Sequence, residues 1–102
     1  MKYEKLLKHN IKIHPRASKN GWSIEIERPN ETIKSKRTYN SSKLLCQAME
    51  KAIDYETERL KIINLFENSE NNSTRNIAEQ VNTSYDVTNT ILNNYLKSKQ
   101  KI

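Results

Sequence analysis

Apolar positions change period along this chain. Ile11 and Ile13 alternate with Lys12 and His14 until Pro15, and Trp22, Ile24 and Ile26 alternate with Ser23, Glu25 and Glu27 until Arg28-Pro29-Asn30. A repeat of two sends successive side chains to opposite faces, so both segments predict half-buried strands, the first ending at Pro15. Asn20-Gly21 supplies turn residues ahead of the second strand, and Pro29-Asn30 a tight reversal into a third around Thr32 to Tyr39. Pairing Arg28 with Glu31 sets Ile26 opposite Ile33 and Glu25 opposite Lys34. Apolar then meets apolar and acid meets base across an antiparallel meander. Trp22, in phase with Ile24 and Ile26, is expected in the core, and so is Tyr39, in phase with Ile33.

From residue 40 the period becomes helical. Asn40-Ser41-Ser42 reads as an amino cap, followed by Leu44, Leu45, Ala48, Met49, Ala52 and Ile53, and a polar stretch from Asp54 to Arg59 precedes a second stripe of Leu60, Ile63 and Phe66. No proline or glycine interrupts Lys43 to Glu67, so one long helix is expected to serve two cores. The polar run Asn68 to Ser73 reads as a loop. Ser73 then caps a short helix through Val81, Asn82-Thr83-Ser84 forms a turn, and a last helix runs from about Tyr85 to Lys97 with Val87, Ile91, Leu92, Tyr95 and Leu96 inward. A short helical turn is expected at the amino terminus. The class is therefore α+β: a three-stranded antiparallel sheet packed on a long central helix, followed by a helix-turn-helix. Residues 1–57 form a basic sheet-plus-helix module and residues 58–102 a helical one.

Composition narrows the chemistry. With 102 residues, 34% hydrophobic, and a single glycine, the core must be thin, and no glycine-rich phosphate loop can form. One cysteine and two histidines give no four-ligand set for zinc, and no disulfide within the chain. Cys46 is expected as a small hydrophobe on the long helix, and His9 and His14 as solvated or salt-bridged groups rather than catalytic ones. These absences predict a protein without cofactor or enzymatic chemistry. No apolar run reaches the roughly 18 residues of a membrane span, so a cytoplasmic protein is expected. Frequent asparagine, isoleucine and lysine with scarce alanine and glycine is the bias of an AT-rich genome, as in a bacterium, a phage or an archaeal virus.

The net charge of +6 is uneven: residues 1–42 carry ten bases against four acids, residues 43–72 four against six, and residues 73–102 four against two. Such a surplus favours a polyanionic partner, nucleic acid before others.

Two stretches add a specific form to that expectation. Ile77 and Ala78, Val81, Asn82 at the turn and Ile91 make Ser73 to Leu96 resemble a helix-turn-helix DNA-binding motif. In it a small residue lets the second helix cross closely, and the turn takes left-handed backbone angles that asparagine tolerates. Thr88 stands where that family has an aliphatic residue. The resemblance implies that Ser84, Tyr85, Asp86, Asn89, Thr90 and Asn93 face the major groove, with Arg75, Lys97, Lys99 and Lys101 near phosphates. More faintly, Asn20-Gly21-Trp22, the strands Trp22 to Glu27 and Ile33 to Tyr39, and a helix bearing Ala48 and Ala52 resemble Apetala-type plant DNA-binding domains and integrase amino-terminal domains. That likeness implies a contact face of Lys12, His14, Arg16, Lys19, Ser23, Lys34, Lys36 and Thr38, which Glu25 and Glu27 share.

The reading is a small non-enzymatic protein that binds double-stranded DNA, a transcriptional regulator or phage accessory factor, with a homodimer suiting palindromic sites. Its alternative, suggested by a last helix that holds Asp86 and no base before Lys97, is an inhibitor or adaptor that docks on a host protein.

Overall fold

A computed structural model describes residues 2–68 and 73–100; residues 69–72 of the expected loop and Lys101 lie outside the described residues. The elements are α1 (Lys2–Lys8), β1 (Lys12–Ser18), β2 (Gly21–Arg28), β3 (Glu31–Lys34), α2 (Ser42–Asn68), α3 (Thr74–Gln80) and α4 (Tyr85–Gln100). The class is α+β, and the chain divides into two compact units, Met1–Thr57 and Glu58–Ile102.

In the first unit α1 is more than a turn. It ends on Asn10 at φ 59°, where the Asn10 amide donates to the Leu7 carbonyl and the Ile11 amide to the Leu6 carbonyl at 2.9 Å. This left-handed stop folds the chain back so that Leu6 and Ile11, both buried, meet across it. The sheet is antiparallel in the order β1-β2-β3, and its second pairing has the expected register: Arg28 with Glu31, Ile26 with Ile33, Glu25 with Lys34.

Three expectations about the strands need correction. β1 does not end at Pro15 but runs to Ser18, with Pro15 paired to Ile24. The Ile13 amide donates to the Tyr3 hydroxyl at 3.2 Å and the Ile13 carbonyl accepts from it at 3.0 Å, so odd positions of β1 turn their backbone groups away from β2. A proline in that phase on an edge strand removes no ladder bond. The same pair of bonds ties Tyr3 to the outer edge of β1. β3, expected to reach Tyr39, stops at Lys34. The Ser35 hydroxyl accepts from the Ile24 amide at 2.9 Å and donates to the Arg37 carbonyl at 3.0 Å, replacing a ladder carbonyl, and pairing resumes only at the Trp22–Tyr39 bridge. Trp22 itself is 44% exposed and Ile33 37%, with Tyr39 half-buried. Trp22 lies four residues along β2 from Ile26, about 13 Å from the end of the sheet where Tyr3 of α1 bonds Ile13.

α2 is one unbroken helix, as expected, with the Ser41 hydroxyl accepting from the Leu44 amide at 3.2 Å as its amino cap. Cys46, expected to pack, is exposed. In the polar stretch Glu56 is fully buried and takes Arg28 in a two-pronged grip, Nε to Oε1 and Nη2 to Oε2, both at 2.7 Å. Glu31 bonds the same guanidinium. Burial works to lower the Arg28 pKa, but hydrogen bonding and attraction from Glu56, then Glu31, more than offset it, and the net direction is upward.

In the second unit Ile62 of α2, Ile77 of α3, and Ile91 and Leu92 of α4 form the sealed centre, with Ile63, Leu65, Phe66 and Val81 half-buried around it. The Ser73 side chain accepts from the Asn76 amide and caps α3, and Asn82 at φ 56° closes it, its amide donating to Glu79 and that of Thr83 to Ala78. Val87 and Leu96, expected inward, are 37% and 39% exposed, and Thr88 takes the inner place at full burial. Its hydroxyl donates to the Ser84 carbonyl at 3.0 Å, which lets a polar residue fill an aliphatic position without an unmet hydrogen bond.

Candidate nucleic-acid interface

The outer side of α4 is set by what the inner side buries. Ile91 and Leu92 face α3, where buried Ala78 offers only a methyl group to the crossing, so residues about half a turn round the helix point away. Tyr85 is 53% exposed, Thr90, Asn93 and Lys97 are exposed, and Asn89 is half-buried. These five form one continuous polar side. Asn94, absent from the expected set, is exposed one turn beyond Thr90; a spacing of four was the signal for it. Arg75 of α3 is exposed as well. Ser84 is exposed, and its hydroxyl accepts from the Val87 amide at 3.2 Å as the cap of α4.

The base supply near α4 is smaller than the sequence implies. Lys99 does not stand free: its ammonium donates to Glu67 at 2.9 Å and lies 5.2 Å from the Tyr95 ring, while the Tyr95 hydroxyl donates to the same carboxylate oxygen. Hydrogen bonds from Tyr95 and then Lys99 hold Glu67 below the usual carboxylate range, and the bond to Glu67 raises Lys99. Tyr95 is pushed up by desolvation first and by Glu67 second. Asp86 sits in the first turn of α4, where an acid suits the helix dipole and opposes phosphate.

On the sheet, the face opposite the core carries Lys12, His14 and Arg16 from β1, Ser23, Glu25 and Glu27 from β2, and Thr32 and Lys34 from β3. The acids answer the bases. His14 Nε2 lies 3.3 Å from Glu27 and 3.7 Å from Glu25, and Arg16 Nη1 lies 3.5 Å from Glu25. Lys12 and Lys34 are exposed on either edge, Lys19 lies in the turn after β1, and Lys36 and Thr38 lie beyond the end of β3. The expected face is thus a charge lattice, not a cationic plate. Arg37, outside the expected set, stacks its guanidinium 5.6 Å from the Tyr39 ring.

Among the described residues no helix is long and apolar enough to cross a membrane, and no group of three or more His, Cys, Asp and Glu could hold a metal ion. Comparison with protein-family models, with curated proteins and with solved structures finds no match. Geometry and charge therefore carry the functional reading by themselves.

Proposed function

We propose that this chain is a small non-enzymatic protein that binds double-stranded DNA, in the role of a transcriptional regulator or phage accessory factor. α3 and α4 act in it as a helix-turn-helix. The outer side of α4 enters the major groove, where Asn89 and Asn93 can pair with adenine and Tyr85 and Thr90 reach bases or backbone, while Arg75 and Lys97 hold phosphates. Basic residues of the sheet unit, Lys12, Lys19, Lys34 and Lys36 foremost, add phosphate attraction. The observation that carries this reading is the uncovered polar side of α4, opposite the face that buries Ile91 and Leu92.

Duplex DNA of mixed sequence, titrated at 50 and 200 mM salt, tests it. About four phosphate contacts lower affinity on the order of 100-fold over that range. Lys97→Ala should reduce the salt slope by about one, and Asn89→Ala with Asn93→Ala should erase preference among sequences without changing that slope. An absence of binding at low salt, or equal losses on every sequence from both variants, contradicts the reading.

A second reading, an adaptor or inhibitor that docks on a protein, is favoured by two observations: Asp86 opens α4, and Glu25 and Glu27 sit within ion-pair reach of His14 and Arg16.

A further inference from the structure

An open cleft of about 250 Å³ lies in the first unit, lined by Arg37, Tyr39, Leu44, Gln47, Ala48 and Lys51. Both walls are fixed. Gly21, at φ 129°, leaves room for the Tyr39 carbonyl and the Asn40 side chain, either of which a Cβ there would meet within 2.8 Å. The Trp22 amide donates to the Tyr39 carbonyl at 2.9 Å and the Tyr39 amide to the Trp22 carbonyl at 2.7 Å, pinning one wall to the sheet. The Ser41 cap starts α2 directly afterwards and sets the other.

The chemistry of the cleft is basic and apolar together. No acid lines it, and among the described residues neither Arg37 nor Lys51 has a carboxylate within ion-pair distance. Leu44 in its floor is 47% exposed, and Tyr55, eleven residues further along α2 and so on nearly the same side, is 40% exposed. Leu44, Ala48, Lys51 and Tyr55 recur at the spacing of one helical face, a stripe about 16 Å long. We infer that this stripe and its cleft are the docking site for an acidic amphipathic peptide segment of a partner protein. Its carboxylates pair with Arg37 and Lys51, and its apolar side chains cover Leu44, Ala48 and Tyr55.

Other occupants fit less well. The cleft falls below the roughly 300 to 1,000 Å³ that small-molecule sites occupy. Duplex phosphates would use the two cations and leave Leu44 and Tyr55 in water. A second copy of the chain, at net charge +6, is repelled.

The inference does not depend on the α4 reading. The probe is a fluorescent peptide of Glu, Leu and Phe, acids and apolar residues on one helical side, titrated by anisotropy into the full chain. Binding should weaken tenfold or more in Lys51→Glu and in Arg37→Glu with Lys51→Glu, and separately in Leu44→Ser with Tyr55→Ser. It should stay within twofold in Lys8→Glu with Lys12→Glu, which changes net charge equally elsewhere. All variants should keep the wild-type helical circular dichroism. The site is refuted if the peptide does not bind, if the Lys8 and Lys12 variant weakens it as much, or if a single-stranded oligonucleotide binds as tightly and responds to the same substitutions.

Discussion

Glu56 is buried in the middle of a helical stretch whose other residues are almost all polar, and only its partner makes sense of that. A carboxylate without solvent is costly unless it is paired and hydrogen-bonded, and Arg28 reaches both of its oxygens from the end of β2. Removing one partner leaves the other charge stranded, with Glu31 as partial relief. Glu56→Ala should therefore lower unfolding free energy by about 3 kcal/mol in urea titrations, and Glu56→Gln by clearly less. Periodicity could not reveal this residue, because a Glu in a polar run looks like surface. Thr88 shows the converse: its place looked wrong for a core, yet its hydroxyl finds the Ser84 carbonyl inside its own helix. Trp22 was misplaced by the same reasoning, since phase gives the side of a strand and not whether anything covers it.

Elements were more legible than residues. The register of β2 with β3, the continuity of α2, the caps at Ser41 and Ser73 and the left-handed Asn82 all follow from local patterns of side-chain size and hydrogen bonding, which act over a few residues. What local patterns missed were element ends governed by neighbours: β1 passing through Pro15 because its outer edge faces Tyr3, and β3 stopping where Ser35 replaces a ladder carbonyl. Gly21 joins both classes, a turn residue by sequence and a point of close approach in space. Gly21→Ala should cost about 2 kcal/mol or more through strain at φ 129° and collision with the Tyr39 carbonyl. It should also open the Trp22–Tyr39 bridge, seen as faster amide exchange at those two positions.

At the scale of the whole molecule, each compact unit has its own sealed apolar centre: Leu6, Ile11, Ile13 and Ile24 in one, and Ile62, Ile77, Ile91 and Leu92 in the other. Separate cores imply separable stability. In Glu56→Ala, amides of β1 and β2 should exchange roughly 100-fold faster while those of Ile77 and Ile91 keep most of their protection, and a uniform loss would contradict this. Of the candidate interface, the polar side of α4 was legible because a helix with one buried stripe must expose the opposite one. The neutralisation of Arg16 and Lys99 was not, because Glu25 and Glu67 reach them from other elements. Sequence alone determined the α+β class, most of the elements and the excess of base over acid, since each depends on residue identity or on neighbours a few places along the chain. Tertiary structure alone decided which of those bases remain unpaired, which apolar side chains stay in water, and that Arg37, Tyr39, Leu44 and Lys51 share a cleft. Charge pairing and coverage are contacts between residues distant in the chain, and spacing along a sequence carries no record of them.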